Sequence, residues 1–261
     1  YEVKAIFTAE DSRNYKVSVS EKTATLTVEQ ATIDTSSIEF TSTTKVYNGQ
    51  EQNIEATNIP EGVTVSYEGS GTDVGTSTLK ATFTAEDSRN YKVSVSEKTA
   101  TLTIEQATID MTDVTFENKS VIYNGQAQRI EATNVPTGVT VSYEENDKID
   151  AGTYEVKAIF TAEDSRNYKV SVSEKTATLT IEKARPTEPT IPEVNTVYAP
   201  EKTLAAVSLP AIESGSLVWK NSEELVGDVA NQKEFTAIFT PADTNYKAIE
   251  VTVKVNVEQA T

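Results

Sequence analysis

The sequence contains no cysteine and no histidine in its 261 residues. Without cysteine there is no disulfide framework, no thiol nucleophile and no thiolate metal site. Without histidine there is no Ser-His-Asp triad and no imidazole-ligated zinc or iron. What remains for catalysis is carboxylate, Lys, Tyr or Ser-Lys chemistry, and what remains for metal binding is oxygen-ligated hard cations, chiefly calcium.

Positive charge and long apolar runs are also scarce. Lys and Arg total 23 against 40 Asp and Glu, which gives a formal net charge of −17 and a pI near 4.5. Such a chain is repelled by phosphate, so nucleic acid and anionic membrane surfaces are poor partners. No apolar run reaches the roughly 18 residues of a membrane-spanning helix, so we expect no membrane insertion.

Internal repetition dominates the chain. The segment Tyr1 to Gln30 recurs at Tyr154 to Lys183 with two differences, and its central part recurs unchanged at Thr84 to Thr103. The upstream segment Lys45 to Gly69 matches Val121 to Glu145. The chain begins inside this pattern, so we expect it to be part of a longer, exported protein.

A diverged copy follows, because Ala237 to Thr261 keeps the plan of the earlier repeats. We therefore divide the chain into the half module at 1–30, the second module at 31–106, the third module at 107–183 and, after a proline-rich linker, a diverged Ig-like fourth module at 184–261. The half module cannot complete a core of its own, so we expect strand exchange through residues 1–30, within the array or between chains.

Apolar and polar residues alternate with the period of two that is typical of half-buried strands. Leu79, Ala81 and Phe83 fall on one face of such a segment, and Lys80 and Thr82 fall on the other. No convincing helical period is present. The pattern predicts an all-β, elongated tandem array of small antiparallel β-sandwich modules, with short and stiff junctions.

Two motifs recur at turns. The motif Tyr-Asn-Gly is a hairpin signal because Asn and Gly accept positive φ, and it occurs at Tyr47, Asn48 and Gly49 and at Tyr123, Asn124 and Gly125. A second turn runs from Asp to an Asn-Tyr pair in every copy, and its tyrosines are Tyr15, Tyr91, Tyr168 and Tyr246. These tyrosines are interpreted as aromatic plugs whose hydroxyl ties down the preceding loop, with a carbohydrate-stacking platform as the alternative.

Candidate chemistry is limited. Acidic clusters such as Glu144, Glu145, Asp147 and Asp150 leave calcium open as a cofactor, against the interpretation that they are solvated charge. Paired carboxylates run glycoside hydrolysis in other proteins, but no unrepeated pair stands out. We therefore expect that the protein is not an enzyme and has no catalytic and no cofactor-binding residue. Trp219, the only tryptophan, is a core residue or a candidate ligand contact.

These motifs, from Tyr-Asn-Gly-Gln through Phe-Thr-Ala-Glu-Asp-x-x-Asn-Tyr to the closing Thr-Leu-Thr-Ile-Glu, resemble the MBG/YDG repeats of bacterial cell-surface adhesins. The resemblance covers Ala31 to about Lys183; in the fourth module, Val197-Tyr198-Ala199-Pro200 replaces Tyr-Asn-Gly. It implies Ig-like or β-grasp-like modules, export, and attachment to a cell wall. The expected function is a structural stalk of a surface adhesin, with neighbouring modules as partners. The alternatives are repeats that bind host glycan, mucin or extracellular proteins directly, and accessory modules of a secreted polysaccharide-degrading enzyme.

Overall fold

The computed structural model describes residues 1–261, and its regular secondary structure is nearly all β-strand. The strands are β1 (Glu2–Ile6), β2 (Glu21–Thr25), β3 (Ala31–Ile33), β4 (Thr43–Val46), β5 (Val63–Glu68), β6 (Gly75–Ala85), β7 (Tyr91–Val93), β8 (Glu97–Glu105), β9 (Ala107–Ile109), β10 (Lys119–Ile122), β11 (Val139–Glu144), β12 (Gly152–Ala162), β13 (Tyr168–Val170), β14 (Glu174–Glu182), β15 (Val194–Val197), β16 (Gly215–Trp219), β17 (Ala230–Pro241) and β18 (Ile249–Glu258). One 3-10 turn, Leu204–Ala206, completes the set. No helix has the length and apolar character needed to cross a bilayer.

The chain divides into two compact units. The first unit contains Tyr1–Ala107 together with Arg166–Tyr168, a turn that belongs in sequence to the third module. The second unit contains Thr108–Ser165 and Lys169–Thr261. The short segment Arg166–Tyr168 is therefore packed with residues far earlier in the chain.

Each full module is built on a four-stranded sheet with the same topology. The order is β4-β8-β6-β5 in the second module, β10-β14-β12-β11 in the third and β15-β18-β17-β16 in the fourth. The three strands β8, β6 and β5 are antiparallel, as the sequence predicts, whereas β4 pairs with β8 in parallel. The parallel edge differs from the predicted wholly antiparallel sandwich, and it arises because the chain crosses back through β5 and β6 before reaching β8.

The second and third modules each have an additional two-stranded sheet. It joins β3 to β7 in parallel in the second module, and β9 to β13 in the third. In the fourth module a single parallel bridge between Ala184 and Tyr246 stands in its place. Only one residue, Gln106, separates β8 from β9, so one module continues directly into the next.

Each full module has one hydrophobic core, and the cores confirm the alternation seen in the sequence. Leu79, Ala81 and Phe83 of β6 are buried against Leu102 of β8 and against apolar residues of the preceding half of the module, such as Ile38. Burying a Leu or Phe side chain is worth about 1.5–3 kcal/mol. The third and fourth modules have corresponding clusters around Phe160 and Phe239.

The half module has no such core. Strands β1 and β2 pair with each other alone, and their side chains are exposed. Leu26 is 53% exposed, although Leu102, its counterpart in the second module, is fully buried. The counterpart strands therefore pair in both places, but they are buried only where the first half of a module covers them.

Candidate functional site

The turn that carries the Asn-Tyr pair is organised by its own aspartate. In the copy at 11–15, Asp11 Oδ1 accepts the backbone N–H groups of Arg13 and Asn14 at 3.1 and 3.2 Å. Asp87 makes the same two bonds in the next copy. The Asn side chain and these amides stabilise the carboxylate, which lowers the pKa of Asp11 and of Asp87. We call residues 11–15, 87–91, 164–168 and 243–246 the Asn-Tyr turns.

Within the first compact unit, residues 166–168 of the third Asn-Tyr turn contact a loop of the second module. The Asn167 side-chain amide donates to Asp73 Oδ1 at 3.1 Å, and its oxygen accepts the backbone N–H of Val74 at 2.9 Å. The nitrogen and the oxygen of one side-chain amide are therefore hydrogen-bonded to two successive residues. Asn167 is only 6% exposed, so these bonds satisfy a polar group that burial would otherwise penalise.

The same arrangement recurs within the second compact unit, between the fourth and third modules. The Asn245 side-chain amide donates to Asp150 Oδ1 at 3.1 Å, and its oxygen accepts the backbone N–H of Ala151 at 2.6 Å. Asn245 is 9% exposed. The fourth module has diverged over most of its length, yet it repeats this contact atom for atom.

An aromatic pair stands beside each amide. The rings of Tyr47 and Tyr168 meet edge to face, with centroids 5.3 Å apart and planes at 83°. Tyr123 and Tyr246 form an equivalent pair at 5.6 Å and 83°. Such T-shaped pairs contribute about 0.5–1.5 kcal/mol beyond the apolar area they bury. We call each combination of Asn-Tyr turn, acidic loop and facing tyrosine a joint.

The second joint also changes the ionisation of a tyrosine. The pKa of the Tyr123 hydroxyl is raised, first because the group is partly removed from water and then because the carboxylate of Asp243 lies near. A hydrogen bond with Asn245 acts in the opposite direction. The joint therefore favours the neutral phenol.

An ion pair distinguishes the first joint from the second. Arg166 Nη1 lies 3.3 Å from Asp73 Oδ2, with both side chains largely exposed. The fourth module has Thr244 in the position of Arg166 because its turn is one residue shorter. Exposed ion pairs of this kind contribute about 0–1 kcal/mol, so the amide and the tyrosines are the common part of the joint.

The two remaining Asn-Tyr turns show what the joint adds. Asn14 and Asn90 are exposed, and each donates its side-chain amide to the aspartate of its own turn, at 2.7 and 2.8 Å. Tyr15 is 71% exposed and Tyr91 is 45% exposed. The turn therefore forms without a neighbour, and burial of its Asn comes from contact with the acidic loop of the preceding module.

This arrangement differs from the aromatic plug that was predicted for Tyr15, Tyr91, Tyr168 and Tyr246. Tyr15 and Tyr91 plug no core, and Tyr168 and Tyr246 pack against a tyrosine of the preceding module. The loop-tying role falls to Tyr67 and Tyr143 instead, whose hydroxyls accept the backbone N–H of Ala56 and Ala132 at 2.9 and 2.8 Å. The prediction placed the right kind of contact on the wrong tyrosine.

The Tyr-Asn-Gly motifs form turns, but not hairpins. Asn48 Oδ1 accepts the backbone N–H of Gln50 at 2.9 Å, and Gly49 has φ +76°. Asn124 and Gly125 repeat this geometry, with Gly125 at φ +77°. The predicted hairpin is wrong because β4 and β10 are edge strands whose only partner is a parallel strand. The tyrosines of the motif, Tyr47 and Tyr123, belong to the joints.

Trp219 lies on the core side of the fourth module. Its indole N–H donates to the carbonyl of Val207 at 2.9 Å, and its ring packs edge-on against Phe235 with centroids 6.2 Å apart. The donor that a ligand would use is therefore already engaged within the fold. This placement favours the core interpretation over the candidate ligand contact.

The acidic clusters do not converge on a common point. The structure contains no group of three or more carboxylates placed to hold a metal ion. In the loop after β11, Glu145 pairs with Lys148 at 2.5 Å and Asp147 lies 3.6 Å from Arg129. Asp150 is part of the second joint.

Sequence reasoning missed Asp73, Val74, Asp150 and Ala151, which are the receiving side of the joints. A signal was present, since both Asp-Val-Gly and Asp-Ala-Gly stand immediately before a long strand. The signal was obscured because the loop before it changes in length by one residue. Its partner Asn also lies 94 positions away along the chain.

Comparison with known proteins identifies the family. The MBG domain matches twice, at residues 36–108 and 112–185, which together make up more than half of the chain. The chain belongs to the MBG domain family. No relative was found among curated proteins.

Several solved structures are similar to this MBG chain in a coarser way. Sidekick-1 immunoglobulin domains 1-4 match at 13% identity and TM-score 0.27, covering 86% of this chain and 74% of their own. The human Desmocollin-1 ectodomain matches at 11% and 0.20, covering 86% and 59%. The Bacteroides ovatus mixed-linkage glucan utilization locus protein SGBP-B, in complex with a heptasaccharide, matches at 12% and 0.19, covering 86% and 68%.

Proposed function

We propose that this chain is a structural spacer of a bacterial cell-surface adhesin, in which successive MBG-type modules are held together by the joints. One observation carries the proposal: the same Asn is buried where its turn meets a preceding module, as Asn167 and Asn245 do, and exposed where it does not, as at Asn14 and Asn90. The repeated sequence is thus specialised for contact between modules.

The joint is suited to restrict motion between modules. Two oppositely directed hydrogen bonds fix the orientation of one amide, and the edge-to-face tyrosines oppose rotation about it. The direct connection through a single residue such as Gln106 leaves little slack in the chain. A series of such joints extends the reach of a surface protein without a flexible linker.

The surface setting and the absence of catalysis are part of the same proposal. We place the chain outside the cell, at a cell surface or wall, because its repeats resemble the MBG/YDG repeats of bacterial surface adhesins. We propose no enzymatic activity and no bound cofactor, since the joints are made of amide, carboxylate and aromatic groups that need no metal. The joints are therefore expected to survive calcium chelation.

Direct binding of host glycan or mucin remains a prediction without a specific contact in its favour. Trp219, its best candidate, packs against Phe235. A screen of the chain against glycans, mucin and extracellular-matrix proteins at physiological salt is expected to show no binding. If the chain binds one of these ligands and a Trp219→Ala variant with an intact fold does not, the pure spacer function is contradicted and the fourth module is adhesive.

Amide hydrogen exchange tests the joint directly. Asn245→Ala removes the acceptor of the Ala151 N–H, and we expect exchange at Ala151 to speed up at least about fivefold, because losing a buried hydrogen bond costs about 1–3 kcal/mol. Asn167→Ala is expected to do the same at Val74.

Asn90→Ala provides the matched control, because Asn90 occupies the same turn without a neighbouring acidic loop. It is expected to leave exchange at Val74 and Ala151 unchanged. Unaltered exchange at Ala151 in Asn245→Ala would contradict the proposed role of the joint.

A further inference from the structure

The fourth module carries a third copy of the receiving side of a joint. We propose that Tyr198, Asp228 and Val229, which we call the receiving surface, bind the Asn-Tyr turn of a second copy of this chain. The inference rests on the proposed function, because it assumes that the joints are specific contacts. It extends them from neighbours in one chain to separate molecules.

Tyr198 occupies the position of the two joint tyrosines. Its backbone N–H donates to the carbonyl of Glu258, the last residue of β18, at 2.9 Å. Tyr47 donates in the same way to Glu105 at 2.9 Å, and Tyr123 to Glu182 at 2.8 Å. Each tyrosine follows the parallel edge strand and packs partly on the core of its module. The ring of Tyr198 therefore stands where a partner tyrosine meets Tyr47 and Tyr123.

Asp228 and Val229 occupy the position of the acidic loops. They immediately precede β17, as Asp73 and Val74 precede β6 in the second module. Asp228 is exposed and Val229 is 46% exposed. Val74, by contrast, is half-buried and donates its N–H to Asn167. The carboxylate acceptor and the amide donor of a joint are thus both present at this end of the fourth module.

The diverged fourth module retains the residues that form the receiving side of a joint in the other modules. The fourth module has lost the Asn and Gly of the Tyr-Asn-Gly motif, which form only a local turn in the other modules. It keeps the tyrosine and the Asp-Val pair. Its own Asn-Tyr turn is engaged through Asn245, so this module repeats both sides of the contact.

The complementary partner is an Asn-Tyr turn whose Asn is exposed. This chain presents two, at 11–15 and 87–91, and both have a solvent-exposed Tyr. Receiving surface and turn are formed by different residues, so the contact is heterologous, and each copy can bind other copies through both of them. Association should therefore proceed head to tail. It should also be weak, because each copy carries a charge of −17.

Sedimentation velocity over a concentration series up to about 1 mM, the range of effective concentration for modules on short linkers, tests the inference. The wild-type chain is expected to form species that grow with concentration. Asp228→Ala is expected to remain monomeric because it lacks the carboxylate that accepts the Asn side-chain amide. The double variant Asn14→Ala, Asn90→Ala is expected to remain monomeric because it lacks the two exposed amides that donate to that carboxylate. An equal mixture of the two should associate again, into capped complexes that stop growing.

Glu223→Ala is the control for charge, since it removes an exposed acid of the same module outside the receiving surface. It should associate like the wild type. A wild-type chain that stays monomeric over the whole range, or variants that associate as it does, would overturn the inference. The spacer proposal would be contradicted separately, by unchanged exchange at Ala151 in Asn245→Ala.

Discussion

At the residue scale, one asparagine has two environments in the same molecule. Asn90 donates to Asp87 of its own turn and remains exposed, whereas Asn167 reaches Asp73 of another module and is buried. The turns themselves are nearly identical in sequence. Because the local sequence is constant, the difference in burial is caused by the neighbour alone.

The raised pKa of Tyr123 leads to a pH-dependence prediction. A group whose folded pKa is raised binds its proton more tightly when folded, so the stability it contributes is present at neutral pH. That stability is lost as pH rises past the ordinary tyrosine value of about 10. We therefore expect the second joint to weaken in alkaline solution, and Tyr123 to ionise above the ordinary tyrosine pKa.

The ultraviolet absorbance difference between wild type and Tyr123→Phe isolates this one phenol among the tyrosines. Its titration midpoint should lie above the ordinary tyrosine value of about 10. A midpoint at or below that value would show that the joint does not favour the neutral phenol.

At the element scale, strands with the same sequence differ in burial according to what covers them. The hairpin β1–β2 repeats residues of β12 and β14, but no first half of a module covers it, and its apolar face is exposed. Alternation along a strand predicts which face can be buried. It does not predict whether a covering layer is present.

This comparison predicts different effects for one substitution in two copies. Leu102→Ala should lower the free energy of unfolding of the second module by about 2–5 kcal/mol, because it opens a cavity in a packed core. Leu26→Ala, at the equivalent place in the hairpin, should change the free energy of unfolding by no more than about 0.5 kcal/mol.

Urea unfolding followed by circular dichroism measures both variants under the same conditions. A large loss of stability in Leu26→Ala would mean that the hairpin is packed in solution. It would then support strand exchange through residues 1–30, which remains a proposal.

The strands and turns also show how far the sequence can be read. Alternation predicted the strands, and repeat spacing predicted modules with one core each. The parallel edge strands β4, β10 and β15 were not predictable, because a period of two is the same for both pairing directions. The pairing within the joints was missed, since Asn245 and Asp150 lie 95 positions apart and Asp150 resembles any solvated acid.

At the scale of the whole molecule, repetition is the proposed source of function. The third and fourth modules each supply a turn to the module before them, and the second and third modules each supply a receiving loop to the module after them, so copies can be added without a new contact. Identical copies can form this contact with one another because it uses only a few residues. The fourth module shows the limit of divergence, since it keeps those residues and changes most others.

The most direct test of the joints is the distance distribution between spin labels on the third and fourth modules. The chain has no cysteine, so Glu155→Cys and Glu234→Cys, both at exposed positions, would carry the only labels. We predict one narrow distribution in this background. It should broaden when Asn245→Ala and Tyr123→Ala remove the second joint, and it should remain narrow with Asn90→Ala. A broad distribution with the joint intact, or one that the joint variants leave unchanged, would contradict the account.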